Sequence, residues 1–171
     1  LVVWRHRTVP GALALFGLGV AATLWSFSYA LELSTVGSPL AIIWARVQYL
    51  GIMALPVAWM IFALQYTNHY RWLNRYTLSG LLFIPLVTQV LVWTNDLHYL
   101  IWTRITLDTS RQFPVLNYDH GVGFWICNGF AHLCLLAGTV LLVQSFRSAP
   151  RLYLLQTMIF VFGASMPWLA N

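Results

Sequence analysis

Polar side chains able to bind a ligand or a metal gather in one segment, residues 94–123, between two long apolar runs. A histidine near a carboxylate suits zinc or another divalent cation. The two acid–histidine pairs here are adjacent or one residue apart, which is not the spacing of a closed metal site. The sequence therefore predicts no metal, favours hydrogen bonds that fix the loop, and makes the following residues candidates for ligand or signal sensing: Asn95, Asp96, His98, Trp102, Tyr118, Asp119 and His120.

Two further charged residues lie in or beside apolar runs and join this set of candidates. Arg46 is about a turn and a half into the run 40–64, and Glu32 follows the preceding run. A charge at membrane depth is costly, so it usually faces the bundle interior and pairs with another group. Glu32 is the nearest acid in sequence and is the expected partner of Arg46. The alternative is an arginine that extends to the lipid headgroups.

Other chemistry is not supported by the sequence. It contains no nucleophile elbow, no helical pair of zinc histidines and no phosphate loop. His132 lies in the middle of an apolar run, but no second histidine lies at comparable depth to complete a bis-histidine haem site. The segment itself is therefore not expected to be an enzyme or to hold a cofactor.

Composition sets the class of protein that must position these residues. The chain of 171 residues is 60% hydrophobic and 8% charged, with a mean hydropathy of +0.72. Soluble domains carry about 25% charged residues, so the chain is a membrane protein. The nine basic residues are all arginine and are scattered, which argues against a nucleic-acid partner.

Five apolar runs have the length of membrane-spanning helices, at roughly 20 residues each. The sequence therefore predicts an all-α, polytopic helical bundle with five full spans, preceded by the stub of an earlier span at residues 1–4. Gly17, Gly19, Gly129 and Gly138 are expected where helices approach closely. The predicted spans are residues 11–31, 40–64, 76–93, 124–146 and 152–170.

Pairs of arginines mark every second connection between these runs. Arg5 and Arg7, Arg71 and Arg75, and Arg147 and Arg151 lie on one side, while all four acids lie in the alternate connections. By the positive-inside rule the arginine pairs are cytoplasmic. The sequence thus predicts a multi-pass protein of the plasma membrane whose segment 94–123 is extracytoplasmic.

The segment 94–123 is too long for a plain connector, and loops of this size are often functional. Residues 101–108 alternate between two sets of side chains, and residues 114–118 form a second short extended stretch. DTSRQ (108–112) between them is a candidate turn. The pattern predicts a small β-hairpin over the mouth of the bundle.

Four stretches together resemble the N-terminal seven-transmembrane sensor region of bacterial histidine kinases. They are WSFSYALELSTVGSPLAIIWARVQYLGI (25–52), PVAWMIFALQYTNHYRWL (56–73), WTNDLHYLIW (93–102) and FPVLNYDHGVGFW (113–125), with RSAPRLYLLQ (147–156) after them. The first span is only a stub and no kinase core is present, so the chain resembles a fragment of a longer protein.

The resemblance implies a sensory input module in the lipid bilayer. Its partners would be a cytoplasmic output domain in the same chain, an unidentified small-molecule or lipid stimulus, and a second copy of the chain in a homodimer. Two other classes stay open. A small transporter or channel predicts ionisable residues along a path through several spans, and a passive membrane anchor predicts that segment 94–123 tolerates scrambling.

Overall fold

The structure is a computed structural model that describes residues 11–110 and 114–146. Four helices in this part of the chain are long and apolar enough to cross a membrane, and each boundary lies within three residues of one of the predicted spans. The fifth predicted span, the N-terminal stub and the arginine pairs beside them lie outside the described residues. The four helices are α1 (Ala12–Ser34), α2 (Pro39–Tyr66), α3 (Arg75–Trp93) and α5 (Val122–Phe146).

Local sequence explains where two of these helices begin. The Ser38 hydroxyl accepts from the Leu40 N–H at 3.3 Å, and Pro39 occupies the first turn of α2, where its missing N–H costs nothing. Asn74 caps α3 because its Oδ1 accepts from the N–H groups of Tyr76 and Thr77. A short 3₁₀ turn at Tyr70–Trp72 connects α2 to α3.

Helix α2 is the centre of the described bundle and packs against α1, α3 and α5. In its most apolar stretch 56% of the residues are buried, whereas the corresponding share is 11% in both α1 and α3. Large apolar side chains on the other helices stay exposed, such as Phe27, Phe83 and Leu133. These faces suit contact with lipid or with spans outside the described residues.

One glycine that the sequence did not single out decides how α1 and α2 cross. A Cβ on Gly51 would lie 2.6 Å from the Ala21 carbonyl oxygen, so the two backbones touch there. Gly138 is in close contact with Trp59, as predicted for a site of helix approach. Among residues 11–110 and 114–146, nothing lies within 4 Å of a Cβ built on Gly17, Gly19 or Gly129, so close approach at these three glycines stays a prediction.

The segment between α3 and α5 forms the predicted β-hairpin. After a single helical turn, α4 (Asn95–His98), strand β1 (Trp102–Asp108) pairs antiparallel with β2 (Val115–His120). The register places Ile105 opposite Tyr118, and an irregularity between Trp102 and Arg104 breaks the strict alternation. Ile101, just before β1, and Trp102, its first residue, are both buried.

Candidate functional site

Asn95 fixes the base of the hairpin with its side chain. Its Oδ1 accepts from the N–H groups of Ile101 and Trp102 at 2.9 and 3.1 Å, and its Nδ2 donates to the Trp102 carbonyl oxygen at 2.9 Å. The residue is only 3% exposed. Hydrogen bonding that fixes the loop, as the sequence predicts, is therefore what this amide provides.

Two glycines let the hairpin return to the membrane helices. The Leu100 carbonyl oxygen accepts from the Gly123 N–H at 2.9 Å in the first turn of α5, and the Gly121 N–H donates to the Ile101 carbonyl oxygen at 2.9 Å. A Cβ on Gly121 would lie 2.3 Å from the Leu100 oxygen. No side chain fits at position 121 unless the backbone moves.

Glu32 connects three elements at the hairpin end of the bundle. It lies in the last turn of α1 and is 4% exposed. Its Oε1 accepts from the Tyr118 hydroxyl of β2 at 2.6 Å, and its Oε2 accepts from the Gln48 amide of α2. One carboxyl group thereby joins α1 to both α2 and the hairpin.

Aromatic packing holds β2 against α2 beside this carboxyl group. The Trp102 ring lies edge-on to Tyr49 at 5.5 Å and is tilted against Tyr118 at 5.1 Å, centroid to centroid. Burial, reinforced by the hydrogen bond to Glu32, raises the pKa of the Tyr118 hydroxyl. Tyr118 is therefore a hydrogen-bond donor, not an anion, at neutral pH.

Arg46 pairs with Asp96 and not with Glu32, which corrects the expected partner. Its Nη2 lies 2.7 Å from Asp96 Oδ2, and its guanidinium lies 6.0 Å from the centre of the Trp93 ring. The Arg46 side chain is 15% exposed and that of Asp96 is 71% exposed. The pair thus joins α2 to the segment that carries the hairpin, and partial burial makes Arg46 more than a surface charge.

A cavity of about 320 Å³ opens between α1, α2, the hairpin and the start of α5. Glu32, Gln48, Trp102, Tyr118 and His120 lie on its wall together with aliphatic side chains from the same elements. The cavity therefore sits where the hydrogen bonds of Glu32 join the hairpin to the membrane helices.

The model of the family described as the N-terminal 7TM region of histidine kinase matches residues 1–171, the whole chain. The chain belongs to this family. Searches of curated proteins and of solved structures gave no match. Membership in the 7TM region of histidine kinases identifies a membrane sensor region and explains the four apolar helices.

Three candidate residues of the 7TM region remain, and of these only His120 lines the cavity. The other two are His98 and Asp119. His98 Nδ1 accepts from the Leu100 N–H at 3.0 Å and its Nε2 lies 3.1 Å from the Thr94 hydroxyl, so both ring nitrogens serve the turn. Asp119 is exposed. His120 stacks on Phe124 at 3.7 Å, and partial burial lowers the pKa of its imidazole, opposed by the charge of Asp119.

Metal and haem chemistry finds no support in the described part of the 7TM region. No group of three or more His, Cys, Asp or Glu side chains in it is placed to hold a metal ion. His132 Nδ1 lies 2.8 Å from the Asn128 carbonyl oxygen of its own helix. The expectation that the region holds no metal and no cofactor stays a prediction.

Sequence reasoning missed Gln48 and Gly121 as determinants of the site. Gln48 is a polar residue within an apolar run, and that signal was available. Its partner Glu32 is 16 positions away, however, and only helix packing brings the two together. Nothing in the sequence distinguishes Gly121 from other glycines, because its importance depends on where the Leu100 backbone passes in the folded structure.

Proposed function

We propose that residues 1–171 form the sensory input module of a membrane-bound histidine kinase, with the hairpin outside the cytoplasm and the output domain inside. Family membership supports the kinase context. Arg71 and Arg75 support the orientation, because they lie beside the start of α3, at the end of that helix opposite the hairpin. Basic residues are retained on the cytoplasmic side of plasma-membrane proteins.

The observation that carries this proposal is the shared cavity. Its wall combines two membrane helices with the hairpin, and Glu32 joins all three through Gln48 and Tyr118. A stimulus that enters the cavity competes for these bonds and changes how the hairpin rests on α1 and α2. A connector loop would need neither a buried carboxyl group nor a cavity at this place.

Signalling then follows from two arrangements of the helices. A stimulus shifts the balance between them only by its difference in affinity for the two. The pair between Arg46 and Asp96 is a second link between hairpin segment and α2. We infer that both links differ between the two arrangements, and that the change passes along the helices to the cytoplasmic domain.

Replacing Arg46 by alanine tests whether the hairpin segment is coupled to the output. We expect Arg46→Ala to insert normally and to change the ATP-dependent autophosphorylation rate of the full-length protein in nanodiscs by about fivefold, the lower end of typical coupling between sites. The matched control is Arg104→Ala, which removes an exposed arginine of β1.

The control should autophosphorylate at the wild-type rate. If both variants reach wild-type levels in the membrane and both keep the wild-type rate, the hairpin segment is not coupled to the kinase. That result would favour a passive membrane anchor over a sensor.

A further inference from the structure

Within the described residues, the buried acid at the cavity has hydrogen-bond donors around it but no cation. Glu32 is 4% exposed, and its two described partners, Gln48 and Tyr118, are neutral groups. Among residues 11–110 and 114–146, the arginine nearest in sequence, Arg46, is paired with Asp96 instead. Buried carboxyl groups are usually paired with a positive charge, and this carboxyl group borders open space where a positive charge could sit.

The cavity wall around Glu32 is rich in aromatic rings. Five of its thirteen lining residues are Phe, Tyr or Trp, contributed by α1, α2, both strands and α5, and no arginine is among the thirteen. The face of an aromatic ring attracts a cation through its quadrupole, and quaternary or protonated amines are recognised in this way. The five residues are Tyr29, Tyr49, Trp102, Tyr118 and Phe124.

We propose that the cavity binds a small organic ammonium ion, with its positive charge at Glu32 and its apolar part against the aromatic wall. This assignment rests on the proposed function, which makes the cavity the place of the stimulus. A volume of about 320 Å³ lies at the lower end of small-molecule pockets, which span roughly 300–1,000 Å³. The ammonium ion is either a free amine or the headgroup of a lipid such as phosphatidylethanolamine.

The proposal predicts selectivity for charge at constant shape. Phenethylamine, protonated at pH 7, and 2-phenylethanol are nearly equal in size, and phenylacetate carries the opposite charge. We expect the full-length protein in phosphatidylglycerol nanodiscs to bind phenethylamine about tenfold or more tightly than 2-phenylethanol, and to bind phenylacetate least. Equilibrium binding of radiolabelled phenethylamine, with the other two as competitors, measures this preference.

Two variants assign the preference to the cavity. Glu32→Gln keeps the shape of the side chain and should weaken phenethylamine binding by about tenfold or more. Asp119→Asn removes an exposed carboxylate of the same hairpin that does not line the cavity, and it should leave binding unchanged. Because both variants are measured in the same anionic membrane, general attraction of amines to lipid cancels from the comparison.

The source of the ammonium ion follows from a second membrane. If phosphatidylethanolamine, added while the fraction of anionic phosphatidylglycerol is held constant, weakens phenethylamine binding, a lipid headgroup occupies the cavity; if it has no effect, the cavity serves a free amine. Equal binding of phenethylamine and 2-phenylethanol by the wild-type protein overturns the assignment. This comparison holds even if Glu32→Gln fails to insert.

The outcome also separates this assignment from the proposed function. Charge-selective binding that depends on Glu32 but leaves autophosphorylation unchanged upholds the ammonium site and contradicts the sensing function. If the wild-type protein binds phenethylamine and 2-phenylethanol equally, the ammonium site is overturned. If the autophosphorylation rate nevertheless changes in Arg46→Ala, the sensing function still stands.

Discussion

Replacing Asn95 by alanine is expected to detach the hairpin from the bundle. The change leaves three backbone groups without their partner: the N–H groups of Ile101 and Trp102 and the carbonyl oxygen of Trp102. A buried polar group without a partner costs about 1–3 kcal/mol, so the loss for the segment is about 3 kcal/mol or more. This loss is larger than the stability of a two-stranded hairpin on its own, because isolated hairpins are only marginally stable.

Hydrogen exchange of the hairpin amides in nanodiscs measures this effect. We expect the amides of β1 and β2 to lose most of their protection in Asn95→Ala. Asn117→Ala is the matched control, since Asn117 is exposed on β2 and its loss should leave protection intact. Equal protection in the two variants would show that Asn95 does not anchor the hairpin.

Replacing Gly121 by alanine is expected to destabilise the return of the hairpin into α5. The added Cβ would lie 2.3 Å from the Leu100 carbonyl oxygen and 2.8 Å from the Tyr99 carbonyl oxygen. Both are backbone atoms, so a side-chain rotation cannot relieve the contact. Overpacking of this kind lowers the free energy of unfolding by about 1–3 kcal/mol or more. The backbone must move to make room, and this movement also weakens the hydrogen bond from the Gly123 N–H to the Leu100 carbonyl oxygen.

Gly129→Ala, within the helix that Gly121 precedes, provides the comparison for this prediction. Within the part of the chain that the structure describes, nothing lies within 4 Å of a Cβ at Gly129, and alanine favours helix by about 1 kcal/mol over glycine. We expect thermal unfolding in detergent to give a lower Tm for Gly121→Ala and an unchanged or higher Tm for Gly129→Ala. A Gly121→Ala protein as stable as the wild type would contradict the close passage of Leu100.

Features with a local cause could be predicted from the sequence. A run of about 20 apolar residues is forced into a helix in a bilayer because every backbone polar group must be satisfied within it. Alternation of side chains over residues 101–108 likewise identified β1. The family resemblance, carried by motifs spread along the chain, was confirmed by the match over residues 1–171.

Contacts between distant elements could not be predicted in the same way. Arg46 and Asp96 are 50 positions apart, and proximity in sequence wrongly favoured Glu32 as the partner. Gly51 of α2 contacts α1 closely, whereas no atom of the described residues lies within 4 Å of a Cβ built on Gly17 or Gly19 of α1. A small residue permits a close approach, but the crossing of two helices decides which small residue is used.

We propose that the hydrogen bond between Tyr118 and Glu32 couples the cavity to the kinase. Tyr118→Phe removes that 2.6 Å bond and keeps the ring beside Trp102. Tyr99→Phe removes the phenol oxygen of a residue that is 58% exposed in the same segment. Autophosphorylation of the full-length protein in nanodiscs should change by about fivefold in the first variant and stay at the wild-type rate in the second. Wild-type rates in both variants, at equal protein levels, would contradict this coupling.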